Sequence, residues 1–319
     1  MTTTAWIVNF RSSAHLANCL VAIDPWVDRV LILENGSGAD EQARLSALAA
    51  RSQKVSVIIS EENLGFGAGM NLLSRADRSD DLDFVWLVNP DIVEVFGSPD
   101  RLRELLASGF AEIGSPKLVT SSVPRRVLYA GGELDLRRGV VRHNHFGEYL
   151  DESHGSDVMI TTSFMTGAAP LMLRSTWDRL GGFDETLFLY WEDVALSVRA
   201  AEIGLRMVVD PRFQAAHLTG ASSHDLKPGK STTHYFYTRR NRVVVSGRYH
   251  SPIAVVLGPG LTQTLRLVLR PLTNERHDRI EKLIAAVRGT AVGLVATNRA
   301  RRGRRQGPGR NIDPKGARK

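Results

Sequence analysis

The first 115 residues alternate short apolar runs with helix-period segments, and that alternation leaves few folds open to the chain. Apolar runs at 5–10, 28–33, 54–60, 83–88 and 111–114 are separated by helical patterns at 14–23, 41–51, 68–75 and 99–108. Parallel strands need a crossover long enough to hold a helix, so this order predicts an α/β fold with a doubly wound, mostly parallel sheet. In such sheets ligands bind beyond the carboxyl ends of the strands. The segments that follow the predicted strands are small and polar: Asn-Phe-Arg-Ser-Ser at 9–13, Glu-Asn-Gly-Ser-Gly-Ala-Asp at 34–40, Asn-Leu-Gly-Phe-Gly-Ala-Gly-Met-Asn at 63–71, and Asn-Pro-Asp at 89–91.

Beyond this region the pattern loosens. Residues 116–160 have no clear period and read as strands and loops laid over the sheet. A strand-like run follows at 166–174, then a short helix at 177–180 that stops at Gly181-Gly182, a helix over 193–203, a strand at 207–209 ended by Pro211, and a helix over 234–248. After Pro252 two amphipathic helical stretches, 261–272 and 280–294, form a C-terminal helical extension. Residues 299–319 hold nine Lys and Arg against one Asp, so this tail carries about +8 of a formal charge of +7 and the body is near −1. These shifts divide the chain into a first domain (1–248), a helical extension (249–298) and a basic tail expected to lack fixed structure (299–319).

A single cysteine, Cys19, excludes an internal disulfide framework and any multi-cysteine zinc site. No apolar run approaches the ~18–20 residues that span a bilayer, and the N-terminus has no basic-then-apolar leader pattern. A cytoplasmic protein is expected. Its basic tail and apolar helical faces suit peripheral attachment to an anionic membrane surface, at the inner face of the plasma membrane. The alternative is that the extension packs on the first domain or on a second copy, as a homodimer. No basic patch interleaved with aromatics lies outside 234–248, so nucleic acid is not the expected partner.

Several motifs carry chemistry. Gly65-Phe66-Gly67-Ala68-Gly69-Met70 follows the third strand and ends on Met70, which departs from a dinucleotide fingerprint. It reads either as a close-packed helix start or as a loop that a nucleotide can approach. Asp91, in Asn-Pro-Asp at a strand end, can ligate a hard divalent cation that bridges phosphates, or it can cap a turn. Asp184, Glu185, Glu192 and Asp193 put four carboxylates in ten residues beside Phe188, Tyr190 and Trp191. Glu192 and Asp193 begin a helix, where they either complement its dipole or supply a general base. His217, paired with Asp91, is a candidate metal ligand.

Taken in order, Asn-Gly-Ser after strand two, Asn-x-Gly-Phe-Gly-x-x-x-Asn after strand three, Asn-Pro-Asp, Gly-Gly-Phe-Asp-Glu, Glu-Asp and a following His resemble family 2 inverting glycosyltransferases of GT-A fold. Within that family the pattern is similar to the bacterial rhamnosyltransferase-like branch, over about residues 4–245. The resemblance implies that Asn9, Glu34 and Asn35 line the base and ribose site. It implies that Asn63, Gly65, Phe66, Gly67 and Asn71 shape the nucleotide pocket. Asn89 and Asp91 would stand at the donor diphosphate, with Asp91 binding Mg²⁺ or Mn²⁺ and His217 as second ligand. Asp193 would be the catalytic base with Glu192 beside it, and Arg199 and Arg240-Asn241 match basic positions of the family. The implied reaction moves a sugar, rhamnose first, from a dTDP- or UDP-sugar to a hydroxyl of a glycan, lipid-linked glycan or small-molecule acceptor. Two positions depart from the pattern: Glu34 stands where Asp is usual, and Ala195 replaces the second Asp of Glu-Asp-x-Asp-Leu. They motivate the alternative of a catalytically silent sugar-nucleotide-binding or scaffold protein.

Overall fold

The computed structural model describes residues 1–150, 157–218 and 229–306, with 300–306 described through the backbone alone. Its first half is the expected strand–helix alternation: β1 (Thr3–Asn9), α1 (Ser13–Ile23), β2 (Arg29–Asn35), α2 (Ala39–Ala49), β3 (Val55–Ser60), α3 (Phe66–Ala76) and β4 (Phe84–Leu87). β1 pairs in parallel with β2 and β4, and β2 with β3. β1 and β4 are central and every residue in them is buried, which is why they read as unbroken apolar runs. Trp6 on β1 donates its indole N–H to Asp77 at 2.9 Å and meets Trp177 edge-on at 5.1 Å.

The second half adds β5 (Ile92–Phe96), α4 (Asp100–Ala107), β6 (Ile113–Thr120), β7 (Val127–Tyr129), the hairpin of β8 (Gly132–Asp135) and β9 (Val140–His143), β10 (Ile160–Thr162), β11 (Leu171–Leu173), α5 (Arg174–Leu180), α6 (Glu192–Glu202) and β12 (Met207–His217). The main sheet runs β3-β2-β1-β4-β11-β6-β12-β10, with β5 pairing β12 and β7 pairing β6. β11 is antiparallel to both β4 and β6, so it joins the parallel half to the mixed half.

At two places a proline or glycine moves a strand boundary away from the sequence reading, and β5 and the second half of β6 were not expected as strand. Pro211 does not end the last strand: β12 runs on to His217, and a register shift against β6 between Asp210 and Gln214 absorbs the proline. The run at 166–174 is strand only at Leu171–Leu173. Gly167 and Pro170 hold the preceding stretch as a loop across the strand ends.

The C-terminal part consists of α7 (Thr232–Tyr249), α8 (Pro252–Leu257), α9 (Leu261–Asn274) and α10 (Arg279–Gln306). The last helix continues eight residues past 298, the end expected for the extension, because the Arg and Ala residues that follow are good helix formers. The remainder of the basic tail, 307–319, lies outside the described residues.

Candidate active site

Position 9 on β1 lies opposite 34 on β2, and 34 lies opposite 59 on β3, so the carboxyl ends of three strands form one edge. Asn9 and Glu34 are fully buried there. One oxygen of Glu34 accepts the Ser37 N–H at 2.8 Å while the other has no partner. Neither amide atom of Asn9 is in hydrogen-bond geometry with a neighbour, although Glu41 lies close enough to be influenced by it. Unpaired buried polar atoms side by side at a strand edge are costly, and they are the kind of group a bound polar ligand satisfies.

The neighbouring asparagines are spent on the protein itself. Asn35 donates to Asn63 at 3.1 Å and to the Gly65 carbonyl at 3.3 Å, and accepts the Leu64 N–H at 2.9 Å. Asn71 brackets Phe183, accepting its N–H at 2.8 Å and donating to its carbonyl at 2.9 Å. The glycine run is also closely packed. Gly65 has φ +82°, and a Cβ there would lie 2.1 Å from the Phe188 carbonyl oxygen. A Cβ on Gly67 would lie 2.9 Å from Phe183. Of the two readings of this motif, the structure has the close-packed helix start: α3 is pressed against the 183–192 segment. Phe66 reaches the site, its ring 5.6 Å from that of Phe183 and beside Gly167.

Asp91 follows β4 and is buried. Its backbone carbonyl accepts the Leu218 N–H at 2.9 Å, which ties the end of β12 to the Asn-Pro-Asp turn. Asp91 Oδ1 then lies 3.0 Å from His217 Nε2, yet Oδ1 has no aligned hydrogen bond. An oxygen and an imidazole nitrogen converging without a shared proton axis can serve as two ligands of one cation. Among the described residues no group of three or more His, Cys, Asp or Glu side chains could hold a metal ion. A two-ligand site suits a hard divalent ion completed by phosphate oxygens and water, and does not suit a closed protein cage.

Asp193 is fixed to the same place by one peptide segment. The Asn89 N–H donates to the Ala168 carbonyl at 2.9 Å, and the adjacent Gly167 N–H donates to Asp193 Oδ2 at 3.3 Å. Residues 167 and 168 thus link the Asn-Pro-Asp turn to the start of α6. Asp193 also accepts its neighbour's N–H, from Val194, at 2.8 Å. Burial pushes the Asp193 carboxyl up, and those two N–H donors, with the charge of His143, oppose the rise. Glu192 is pushed up to about 8, first by burial and then by the Asp193 charge, and its Oε2 has no partner. Burial and mutual repulsion thus both disfavour the doubly ionised pair, and the two N–H donors stabilise the Asp193 anion. His143, on β9, went unnoticed in the sequence because residues 116–160 lack a period. Its Nδ1 donates to the Leu128 carbonyl at 3.0 Å.

The other two carboxylates are structural. Asp184 caps the turn after it, accepting from Thr186 N–H at 3.0 Å, and pairs with Arg248. Glu185 accepts from Asn71 at 2.9 Å. Arg199 donates to the Leu180 carbonyl at 2.7 Å and holds the Gly181-Gly182 turn. Ala195, at the departing position of the motif, packs buried in the core.

Between these groups the backbone is strained. Phe188, Tyr190 and Trp191 have φ of 61°, 66° and 72°, a region bulky residues avoid. Asn241 on α7, fully buried, holds this loop: its amide N–H groups are shared among the carbonyls of Leu187 (2.7 Å), Leu189 (2.9 Å) and Tyr190 (2.8 Å). Arg240 fixes the Asn241 orientation by donating to Oδ1 at 2.6 Å, and also donates to the Thr186 carbonyl at 3.1 Å. Its neighbours Arg239 and Arg242 are buried against backbone carbonyls of the C-terminal part. The Arg-Asn pair was legible as a motif, but its role as a loop clamp was not.

The fold has the GT-A architecture of solved glycosyltransferases. Among solved structures, the chain superposes on GalNAc-T7 with UDP, GalNAc and Mn²⁺ with a TM-score of 0.60 at 11% identity, covering 98% of this chain and 59% of that one. It superposes on the mannosyltransferase PcManGT from Pyrobaculum calidifontis, in complex with GDP-Man and Mn²⁺, with a TM-score of 0.52 at 15% identity, covering 94% of this chain and 79% of that one. No family model matches the chain. In sequence it is similar to the N-acetylglucosaminyl-diphospho-decaprenol L-rhamnosyltransferase of two Mycobacterium tuberculosis strains, 25% identical over 303 residues, which cover 87% of this chain and 96% of the relative.

Proposed function

We propose that the chain is an inverting, family 2 rhamnosyltransferase that moves the sugar of a nucleoside-diphosphate donor, dTDP-rhamnose first, onto a hydroxyl of a lipid-linked N-acetylglucosaminyl diphosphate. The observation that carries this reading is the attachment of Asp91, through the Asn89 turn, and of Asp193 to the adjacent residues Ala168 and Gly167. A site for the leaving diphosphate and a site for the attacking hydroxyl are thereby held at fixed separation. The similarity to a decaprenol-linked rhamnosyltransferase along nearly its whole length supports the donor and acceptor class.

Asn9 and Glu34 have the unpaired polar atoms to bind the base and ribose. Asp91 and His217 are the residues that would hold Mg²⁺ or Mn²⁺, whose charge makes the nucleoside diphosphate a better leaving group. Asp193 accepts the acceptor hydroxyl proton as the oxygen bonds to the anomeric carbon and the bond from that carbon to the phosphate oxygen breaks. Attack from the face opposite the leaving group inverts the configuration. Glu192, protonated, limits the charge beside the base and keeps it at −1 for the pair.

The test is dTDP-rhamnose with a polyprenyl-diphospho-N-acetylglucosamine acceptor in detergent, with product read by mass spectrometry. Wild type should add one deoxyhexose, and Asp193→Asn should bind dTDP normally and lose transfer by about 10²–10⁴-fold. Full activity in Asp193→Asn removes it from the base role. Tight donor binding with neither transfer nor slow donor hydrolysis in wild type favours a silent binding protein.

A further inference from the structure

The C-terminal helices have their polarity reversed. α10 lies along α7, and the face it turns inward is small and polar: Ala286, Thr290 and Thr297 are buried there. Gly289 and Gly293 sit on the Phe236 and Arg240 carbonyls, where a Cβ would come within 2.2 and 2.6 Å. The face turned outward carries Ile280, Ile284 and Val287, all exposed. α9 repeats the pattern. Thr264 and Pro271 are buried, whereas Leu261, Leu265, Leu269 and Leu272, spaced along one side, are between 38% and 51% exposed. Ile253 and Leu257 of α8 extend the exposed apolar surface. Single exposed apolar residues are ordinary, but an apolar stripe on two adjacent helices is not.

The rim of this surface is mainly cationic, its five arginines outnumbering the exposed Asp278 and Glu281. Arg266, Arg270, Arg276, Arg279 and Arg288 are exposed beside the stripe. Lys282, on the same helix, is buried in an ion pair with Glu275 at 2.8 Å. Beyond 300 the sequence adds eight further Lys and Arg against one Asp. Among the described residues no helix is long and apolar enough to cross a membrane.

We infer that the outward face of α8, α9 and α10 is a docking surface for an anionic lipid bilayer, with the leucine and isoleucine side chains lying in the interface and the arginines at the headgroups. Charge decides between a bilayer and a second copy. A two-fold pairing of this face would set the same arginines of both copies against each other, whereas anionic headgroups neutralise them. The surface also connects to the site. Glu275, between α9 and α10, accepts the Tyr235 hydroxyl at 2.9 Å, and the adjacent His234 ring stands edge-on to Tyr190 at 4.8 Å, two residues before Glu192. If the proposed reaction holds, the docked face keeps the acceptor side of the site near the lipid that carries the acceptor.

The test is flotation of the full-length chain, without substrates, on phosphatidylcholine vesicles with and without phosphatidylglycerol. Wild type should float with the anionic vesicles and far less with neutral ones. Leu265→Asn with Leu269→Asn should weaken binding by about 10–30-fold, from the apolar area no longer buried, with the melting temperature and donor hydrolysis rate kept. Arg266→Gln with Arg270→Gln should weaken it less and flatten its salt dependence. Flotation unchanged by the Leu pair overturns the assignment, as does a wild-type dimer that the Leu pair converts to monomer. Loss of transfer activity with flotation intact counts against the proposed reaction and leaves the docking surface standing.

Discussion

Removing the Asn241 side chain should cost the enzyme its rate before it costs the fold. In Asn241→Ala the carbonyls of Leu187, Leu189 and Tyr190 lose their shared donor, and the first of these keeps a bond from the Leu189 N–H at 2.7 Å. Two part-buried acceptors are then unpaired, a destabilisation of at most about 2–6 kcal/mol at ~1–3 kcal/mol each. The loss is partly offset. Phe188, Tyr190 and Trp191 are held at positive φ, at ~1–3 kcal/mol each, and a freed loop recovers some of that by relaxing. The net change is therefore small against a typical ~5–15 kcal/mol, and the melting temperature should fall by only about 3–8 °C. Relaxation, however, moves the residues that lead into Glu192 and Asp193, and a displacement of about 1 Å at a base is worth on the order of 100-fold in rate. The expected result is kcat reduced by about 10²-fold with donor affinity, measured by calorimetry with dTDP, within a factor of three or so. Asn241→Asp should be worse in both respects, because it aims a carboxylate at three carbonyls. Wild-type kcat in Asn241→Ala despite a lowered melting temperature would refute the clamp.

Glu192 sets a pH dependence of stability. Between its ordinary value of 4.5 and about 8 the folded chain keeps a proton that the unfolded chain has released, so stability should fall as pH rises through that window. Glu192→Gln should flatten this slope in denaturant titrations at several pH values; an unchanged slope assigns it elsewhere. Mn²⁺ should raise the melting temperature of the dTDP complex, by the equivalent of about 2.7 kcal/mol at one hundred times its dissociation constant, and Asp91→Ala should abolish that increment while His217→Ala reduces it. Gly65→Ala should destabilise by more than ~1 kcal/mol, since its Cβ meets the Phe188 carbonyl at 2.1 Å in a backbone of φ +82°; wild-type stability there would mean the loop is free to move.

What could be read from the sequence depended on how local the cause was. β1 and β4 are visible because full burial makes a strand apolar, a property of the strand alone, whereas β3, with no fully buried residue, is visible through its Val and Ile content. Asp91 and Asp193 are visible because each stands at an element end inside a motif, although a carboxylate by itself is ordinary at a turn or a helix start. The partners of Asn35 and Asn71 are not local. An amide flags a site by its polarity, yet whether it binds a ligand or a backbone is decided by a segment more than a hundred positions away in the case of Asn71 and Phe183. The same holds for Gly167, whose N–H matters only because the loop containing it crosses the strand ends. Its sequence signal, a glycine and small residues before Pro170, was available but was read as strand. Pro211 misled in the opposite direction: proline ends most strands, and here the register shift in β12 accommodates it.

The two departures from the family pattern bear differently on catalysis once placed. Ala195 lies in the buried cluster with Val194 and Val198, in a helix buried along most of its length, so an Asp there would be a buried charge beside Glu192 and Asp193. Its replacement spares the fold that cost. Glu34 is the opposite case. Its first oxygen is fixed by Ser37 and its second is buried and unpaired at the strand edge beside Asn9. An unpaired carboxylate oxygen is satisfied only by a donor, and ribose hydroxyls and base N–H groups are donors. Under the proposed function this oxygen is the acceptor offered to the nucleoside. Glu34→Asp should therefore retain the fold and weaken dTDP binding, whereas Glu34→Gln, which swaps one acceptor for a donor, should weaken it further. Equal dTDP affinity in all three proteins by calorimetry would place the nucleoside elsewhere.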